Sequence, residues 1–198
     1  MGVINITPNS FSDGGEFNNS TKFLDQARYL IKHEADILDL GAESSAPMNK
    51  AIDTSEEIAR FKEVVLPVLD QISPNIDLSI DTYKIETIQY LLKQKSIRAF
   101  YDKELLTWND VSGQNHEAEV ILRNYPKLKY IHCHNLVDDR SKTLDHMSYL
   151  SDDLCLENFF ENSQHILDPC FGFSKTREQN FEVWKSAPVK YIRDYLPC

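Results

Sequence analysis

The residues best placed to do chemistry stand at the ends of short apolar runs: Asn5, Asp39, Asp81, Asn109, His134 and Asp168. Each puts a carboxylate, an amide or an imidazole where an apolar stretch gives way to a polar one. One such residue is often only a turn or a helix cap. Six in register make a polar ring at one edge of a sheet, the edge at which α/β proteins bind ligands. Two carboxylates and an amide brought together suit a flat, nitrogen-rich heterocycle, because carboxylates accept paired N–H donors and an amide both donates and accepts. Two glycine-bearing loops, Thr7 to Gly15 and Asp168 to Asn180, add the features of anion-binding turns.

The elements that must carry this ring alternate in type. Gly2 to Ile6, Asp36 to Leu40, Asp77 to Ile80, Leu105 to Trp108, Leu128 to Ile131 and Ile166 to Leu167 read as strands. Helical spacing follows them over Thr21 to Glu34, from Asp53 or Thr54 onward, Ile85 to Lys95, His116 to Arg123 and Glu178 to Lys185. Ser20 or Thr21 is the expected cap of the first helix. Thr54-Ser-Glu-Glu57 has capping-box spacing. Strands alternating with helices predict a parallel sheet, and six such units predict an α/β TIM (β/α) barrel with about six of its eight units. The stretch from Arg140 to Asp153 fits a helix or a loop equally.

The bulk numbers agree with one domain over residues 1–198. Hydrophobic content of 41% and charged content of 26% are ordinary for a globular chain. A net charge of −10 argues against general affinity for nucleic acid. No apolar run approaches the roughly 18 residues of a membrane span, and the start lacks the layout of a secretory signal. Cys133, Cys155, Cys170 and Cys198 form no C-x-x-C pair. The expectation is therefore buried thiols in a reducing cytoplasm, with neither disulfide nor zinc. His132 and His134 share a strand face, read as a polar surface toward the ligand cavity rather than a metal site.

Five segments resemble the dihydropteroate synthase family, whose barrel binds pterin. They are Asn5-Ile-Thr-Pro-Asn-Ser-Phe-Ser-Asp-Gly-Gly15, Asp39-Leu-Gly-Ala-Glu-Ser-Ser-Ala-Pro47, Ser79-Ile-Asp-Thr-Tyr-Lys84, Asn109-Asp-Val-Ser-Gly113 and Asp168-Pro-Cys-Phe-Gly-Phe-Ser-Lys-Thr-Arg-Glu-Gln-Asn180. They come in order and cover nearly the whole chain. The resemblance implies a magnesium-assisted transferase of folate biosynthesis. It would join (7,8-dihydropterin-6-yl)methyl diphosphate to para-aminobenzoate, giving dihydropteroate and diphosphate. It also implies that Asp81, Asn109 and Asp168 bind the pterin and that Asn5 stands near the metal and diphosphate. Thr7, Pro8, Ser45, Pro47 and Phe173 would form the para-aminobenzoate site, and the family is usually a homodimer.

The match is incomplete. The family's Ser-Thr-Arg-Pro reads Ser44-Ser45-Ala46-Pro47 here, and Cys170 and Ser174 stand where glycine is common. Its Ser-Arg-Lys and Arg-x-His segments have no counterpart after Asn180, so the sequence reads as truncated at its C-terminal end. The alternative function is a non-catalytic pterin-binding paralogue or fragment, and no residue is assigned a catalytic role.

Overall fold

Segments of four or five residues built around valine, isoleucine, leucine or an aromatic side chain, with polar residues between or after them, form short parallel strands. The computed structural model describes residues 1–7, 16–43, 51–73, 75–112, 118–133, 165–168, 170–171 and 176–186. Among these residues, six strands form one sheet in sequence order. They are β1 (Gly2–Asn5), β2 (Ile37–Gly41), β3 (Asp77–Asp81), β4 (Leu106–Asp110), β5 (Lys129–Cys133) and β6 (His165–Asp168). Every neighbouring pair is parallel. Consecutive, unreversed parallel strand order, with helices connecting β1 through β5, is the arrangement of a (β/α) barrel.

The helices are α1 (Glu16–Lys32), α2 (Thr54–Arg60), α3 (Ile85–Leu91), α4 (Lys95–Asp102), α5 (Ala118–Asn124) and α6 (Arg177–Ser186). Strand side chains alternate between faces. Ile4, Leu38, Leu40, Leu78, Ile80, Leu106, Trp108 and Tyr130 share one face and pack with Phe23, Ala27, Phe61, Val65, Ile88 and Leu91 from the helical layer. The opposite face carries Asn5, Asp39, Ser79, Asp81, Thr107, Asn109 and Cys133. The sequence thus puts bulk under the helices and small or polar groups on the other side. At the amino-terminal end of that polar side, Lys129 Nζ pairs with Asp77 Oδ2 at 2.7 Å.

Several boundaries differ from the sequence reading. The first helix starts at Glu16, ahead of Ser20. Ser20 therefore caps nothing; its hydroxyl donates to the Glu63 carbonyl at 2.9 Å and ties α1 to the π-helical turn Phe61–Val65 that continues α2. The cap of α2 is Asp53, whose carboxylate accepts the Glu56 amide at 2.8 Å. The capping spacing is thus shifted by one residue, and Glu57 is freed to point inward. The helix expected over Ile85 to Lys95 ends at Leu91, and a further helix, α4, which the sequence reading did not include, starts at Lys95 after an extended Gln94. His132 has the parity of Tyr130, with ring centroids 6.1 Å apart, and so lies on the helix-facing side rather than toward the polar face. Pro8, Ser45, Pro47, His134 and Phe173 fall outside the described residues, as does the stretch from 140 to 153.

Candidate functional site

Strand register assembles the polar ring. Asn5 pairs with Gly41, Gly41 with Asp81, and Asp81 with Asn109, so one row crosses the ends of four strands. Paired residues in a parallel ladder project to the same side. From β4 onward the polar positions step upward: Asn109 pairs with Ile131, and the next same-face residue, Cys133, pairs with Asp168.

Gly41 keeps the row open. A Cβ at this position would come within 3.2 Å of Asp81 Oδ2 and 3.6 Å of Asn5 Oδ1. The carboxylate of β3 and the amide of β1 therefore both flank the space over a residue with no side chain, which a larger residue would crowd.

Asp39 sits two residues below Gly41, buried at 5% exposure. Its Oδ1 accepts a long hydrogen bond, 3.5 Å, from Asn109 Nδ2. That bond orients the Asn109 amide and leaves Oδ1 facing β5. Cys133 Sγ lies 4.0 Å from Asn109 Oδ1 and 3.6 Å from Asp168 Oδ2. Asp168 Oδ1 accepts the backbone N–H of Cys170 at 2.8 Å, which folds the chain back toward the strand end. A chain of polar contacts thus runs Asp39–Asn109–Cys133–Asp168.

Electrostatics sharpen this picture. Burial pushes Asp81 up to about 7, with Asp39, Glu57, Asp110 and Glu43 adding repulsion. Burial raises Asp39 too, opposed by the Asn109 amide. Concentrated carboxylates of elevated pKa at a strand-end ring mark a place built to receive hydrogen-bond donors or positive charge. The Cys133 thiol is held neutral by its hydrogen bond to the Cys170 thiol, then by burial and the Asp168 carboxylate. On the helix-facing side, burial lowers His132 to about 4, leaving it uncharged at neutral pH.

A second cluster supports the ring. Lys84 bridges Glu43 of the post-β2 loop and Glu57 of α2, the latter at 3.4 Å. Thr87 donates to Glu57 Oε2 at 2.6 Å, and Tyr83 to Glu43 Oε1 at 3.2 Å. Burial alone would lower the Lys84 ammonium; the Glu43 hydrogen bond and the two carboxylate charges outweigh it and raise its pKa. Arg60 donates to the Ala42 carbonyl at 2.6 Å, fixing the backbone beside Gly41. A hollow of about 440 Å³ lies at the opposite end of the strands, beside Ala35, Asp36, Ile76 and Asp77. It lies away from the ring and is no rival to it.

Of the positions expected to bind ligand, Asn5, Asp81 and Asn109 come together in one row and Asp168 joins through Cys133. Thr7 follows β1, just beyond that row. Asp39, which orients Asn109, and Cys133, which joins Asn109 to Asp168, were not assigned to the ligand site from the sequence. Asp39 was visible as a strand-end acid; Cys133 carried no signal beyond its place before His134.

The profile of the pterin binding enzyme family matches residues 1–189. The chain belongs to that family. A dihydropteroate synthase from Clostridium beijerinckii is 33% identical over 191 residues, covering 92% of this chain and 66% of that protein. The Clostridium difficile dihydropteroate synthase structure, determined in the presence of pteroic acid, matches with a TM-score of 0.74 and 30% identity over 93% of this chain and 68% of that one. The Anaplasma phagocytophilum enzyme with bound 6-hydroxymethylpterin-monophosphate gives 0.70 and 29% over 94% and 72%. The chain spans just under two thirds of the length of the first curated relatives it matches. The fold is the TIM barrel of these pterin-binding enzymes, represented here by its strands β1 to β6.

Proposed function

We propose that this protein acts in folate biosynthesis, condensing (7,8-dihydropterin-6-yl)methyl diphosphate with para-aminobenzoate to give 7,8-dihydropteroate and diphosphate. The observation that carries this reading is the convergence of Asp81, Asn109 and Asp168 at one sheet edge, with Asp39 and Cys133 joining them. An aminopyrimidine edge offers two adjacent N–H donors, which one carboxylate accepts as a pair. The Asn109 amide offers a donor and an acceptor to the remaining ring atoms. Once the ring donates into this cluster, its N–H groups satisfy carboxylates that otherwise repel one another.

In the reaction the amine nitrogen of para-aminobenzoate attacks the methylene carbon, the carbon–oxygen bond to diphosphate breaks, and the amine loses a proton. Carboxylates beside the pterin stabilise the positive character that the ring acquires as diphosphate leaves. Thr7, Pro8, Ser45, Pro47 and Phe173 are the proposed para-aminobenzoate contacts. The Asn5 amide oxygen, beside the open position of Gly41, fits a hard cation that takes oxygen ligands and leaves room for waters and phosphate oxygens. Magnesium held there would neutralise charge on the departing diphosphate. A cytoplasmic homodimer completes the proposal.

A second reading, a non-catalytic pterin-binding protein, is favoured by Ala46, which occupies the place of an arginine in the family's second loop. Turnover separates the two. Purified chain given both substrates and magnesium is expected to form dihydropteroate. Pterin binding without turnover, with no added affinity from the diphosphate group, would leave the non-catalytic reading standing instead.

A further inference from the structure

Cys133 and Cys170 are separated by 36 intervening residues, yet register brings them together. Cys133 ends β5 opposite Asp168, and Cys170 follows Asp168 by two residues. Both thiols are buried, and neither is in a disulfide. Cys133 Sγ, Cys170 Sγ and an Asp168 carboxylate oxygen lie within 4.8 Å of one another. We propose that these three residues form a binding site for a thiophilic divalent cation of the zinc class.

The geometry fits without rearranging the strands. Zinc–sulfur bonds of about 2.3 Å and zinc–oxygen bonds of about 2.0–2.2 Å at a tetrahedral angle place sulfur and oxygen about 3.6 Å apart. Cys133 Sγ and Asp168 Oδ2 stand 3.6 Å apart. Asp168 Oδ1 is already fixed by the Cys170 amide, the kind of supporting contact that orients a ligating carboxylate. Cys170 adopts φ 51°, a left-handed conformation in which glycine would be unstrained. The backbone strain sets a sulfur, rather than a hydrogen, beside Cys133. Three protein ligands leave a fourth position for water, as in open zinc sites. When the ion enters, two sulfur–metal bonds form and the two thiol protons pass to solvent. The site does not depend on the proposed activity. If Asp168 also receives the pterin, as that reading holds, cation and pterin exclude one another.

The test uses the full chain, reduced and freed of metal, titrated with Co²⁺. Near-ultraviolet thiolate-to-cobalt charge transfer is expected to saturate at one ion per chain. Cys133→Ser and Cys170→Ser should each weaken binding at least tenfold, while Cys155→Ser and Cys198→Ser leave it unchanged. X-ray absorption on zinc-loaded wild type, which needs no variant to fold, should show two sulfur ligands at about 2.3 Å with oxygen completing the shell. A band that survives in the Cys133→Ser/Cys170→Ser double variant, or a zinc shell of oxygen and nitrogen alone, overturns the proposal.

Discussion

Asp81, a proposed pterin contact, carries a cost in the empty fold. Its carboxyl group sits near pH 7 because burial and four neighbouring acids disfavour its charge. The unfolded chain releases the same proton near the ordinary 3.8. The folded state thus binds the proton more tightly, and stability falls as pH rises through that interval. Asp81→Asn removes the penalty. The variant should melt above wild type at pH 8, with the difference shrinking as the pH drops and vanishing below about 4; thermal denaturation across that range reads it directly. Equal melting temperatures at pH 8 would show that the acidic ring is not strained. Pterin affinity should run the other way in wild type, tightening from pH 5 to 8 as Asp81 ionises, which calorimetry can follow. The cysteines teach a different lesson at this scale. Local spacing gave no C-x-x-C, and the expectation of buried thiols with neither disulfide nor zinc followed from it. Only the adjacency of β5 and β6 puts Cys133 beside Cys170.

Among the elements, strand existence and order were legible because a short apolar run between polar residues has few other solutions in an alternating α/β chain. Boundaries were not. Ser20 looked like a cap because its side chain is polar, whereas its hydroxyl bonds across to Glu63. The break near Gln94 was hidden because Ile88, Leu91 and Leu92 keep helical spacing up to it and no proline or glycine marks it. The Lys84 cluster was invisible in the sequence, since its partners lie 27 and 41 residues away. It joins the post-β2 loop, α2 and the post-β3 loop. Glu57 is 1% exposed, so removing its cation leaves a buried charge uncompensated. Lys84→Met should destabilise the chain by about 3 kcal/mol, the order expected for breaking a buried pair. Urea denaturation measures this, and a loss below about 0.5 kcal/mol would place the pair with ordinary surface bridges. At the far end, Thr176 and Gln179 cap α6 reciprocally, with Thr176 N donating to Gln179 Oε1 at 2.8 Å and Gln179 N to Thr176 Oγ1 at 3.2 Å. Part of the late motif therefore builds a helix start, and Thr176→Ala should cost about 1 kcal/mol of stability in the same assay.

At the scale of the whole molecule, the sheet divides its labour by face. Large apolar groups, with Trp108 fully buried and donating Nε1–H to the Thr82 carbonyl at 2.7 Å, lock the helical layer to the strands. The other face holds the small and polar residues whose strand-end members form the ring. The ring was readable residue by residue, but its geometry was not: the stagger that brings Asp168 to Cys133 rather than to Asn109 is a property of six paired strands. The most direct test of the account is a calorimetric titration of wild type and Asp168→Asn with 6-hydroxymethyl-7,8-dihydropterin. Loss of a charged hydrogen-bond acceptor should weaken binding by about 1–3 kcal/mol while the variant stays folded. Equal affinity of the two proteins would contradict the assignment of this ring to pterin.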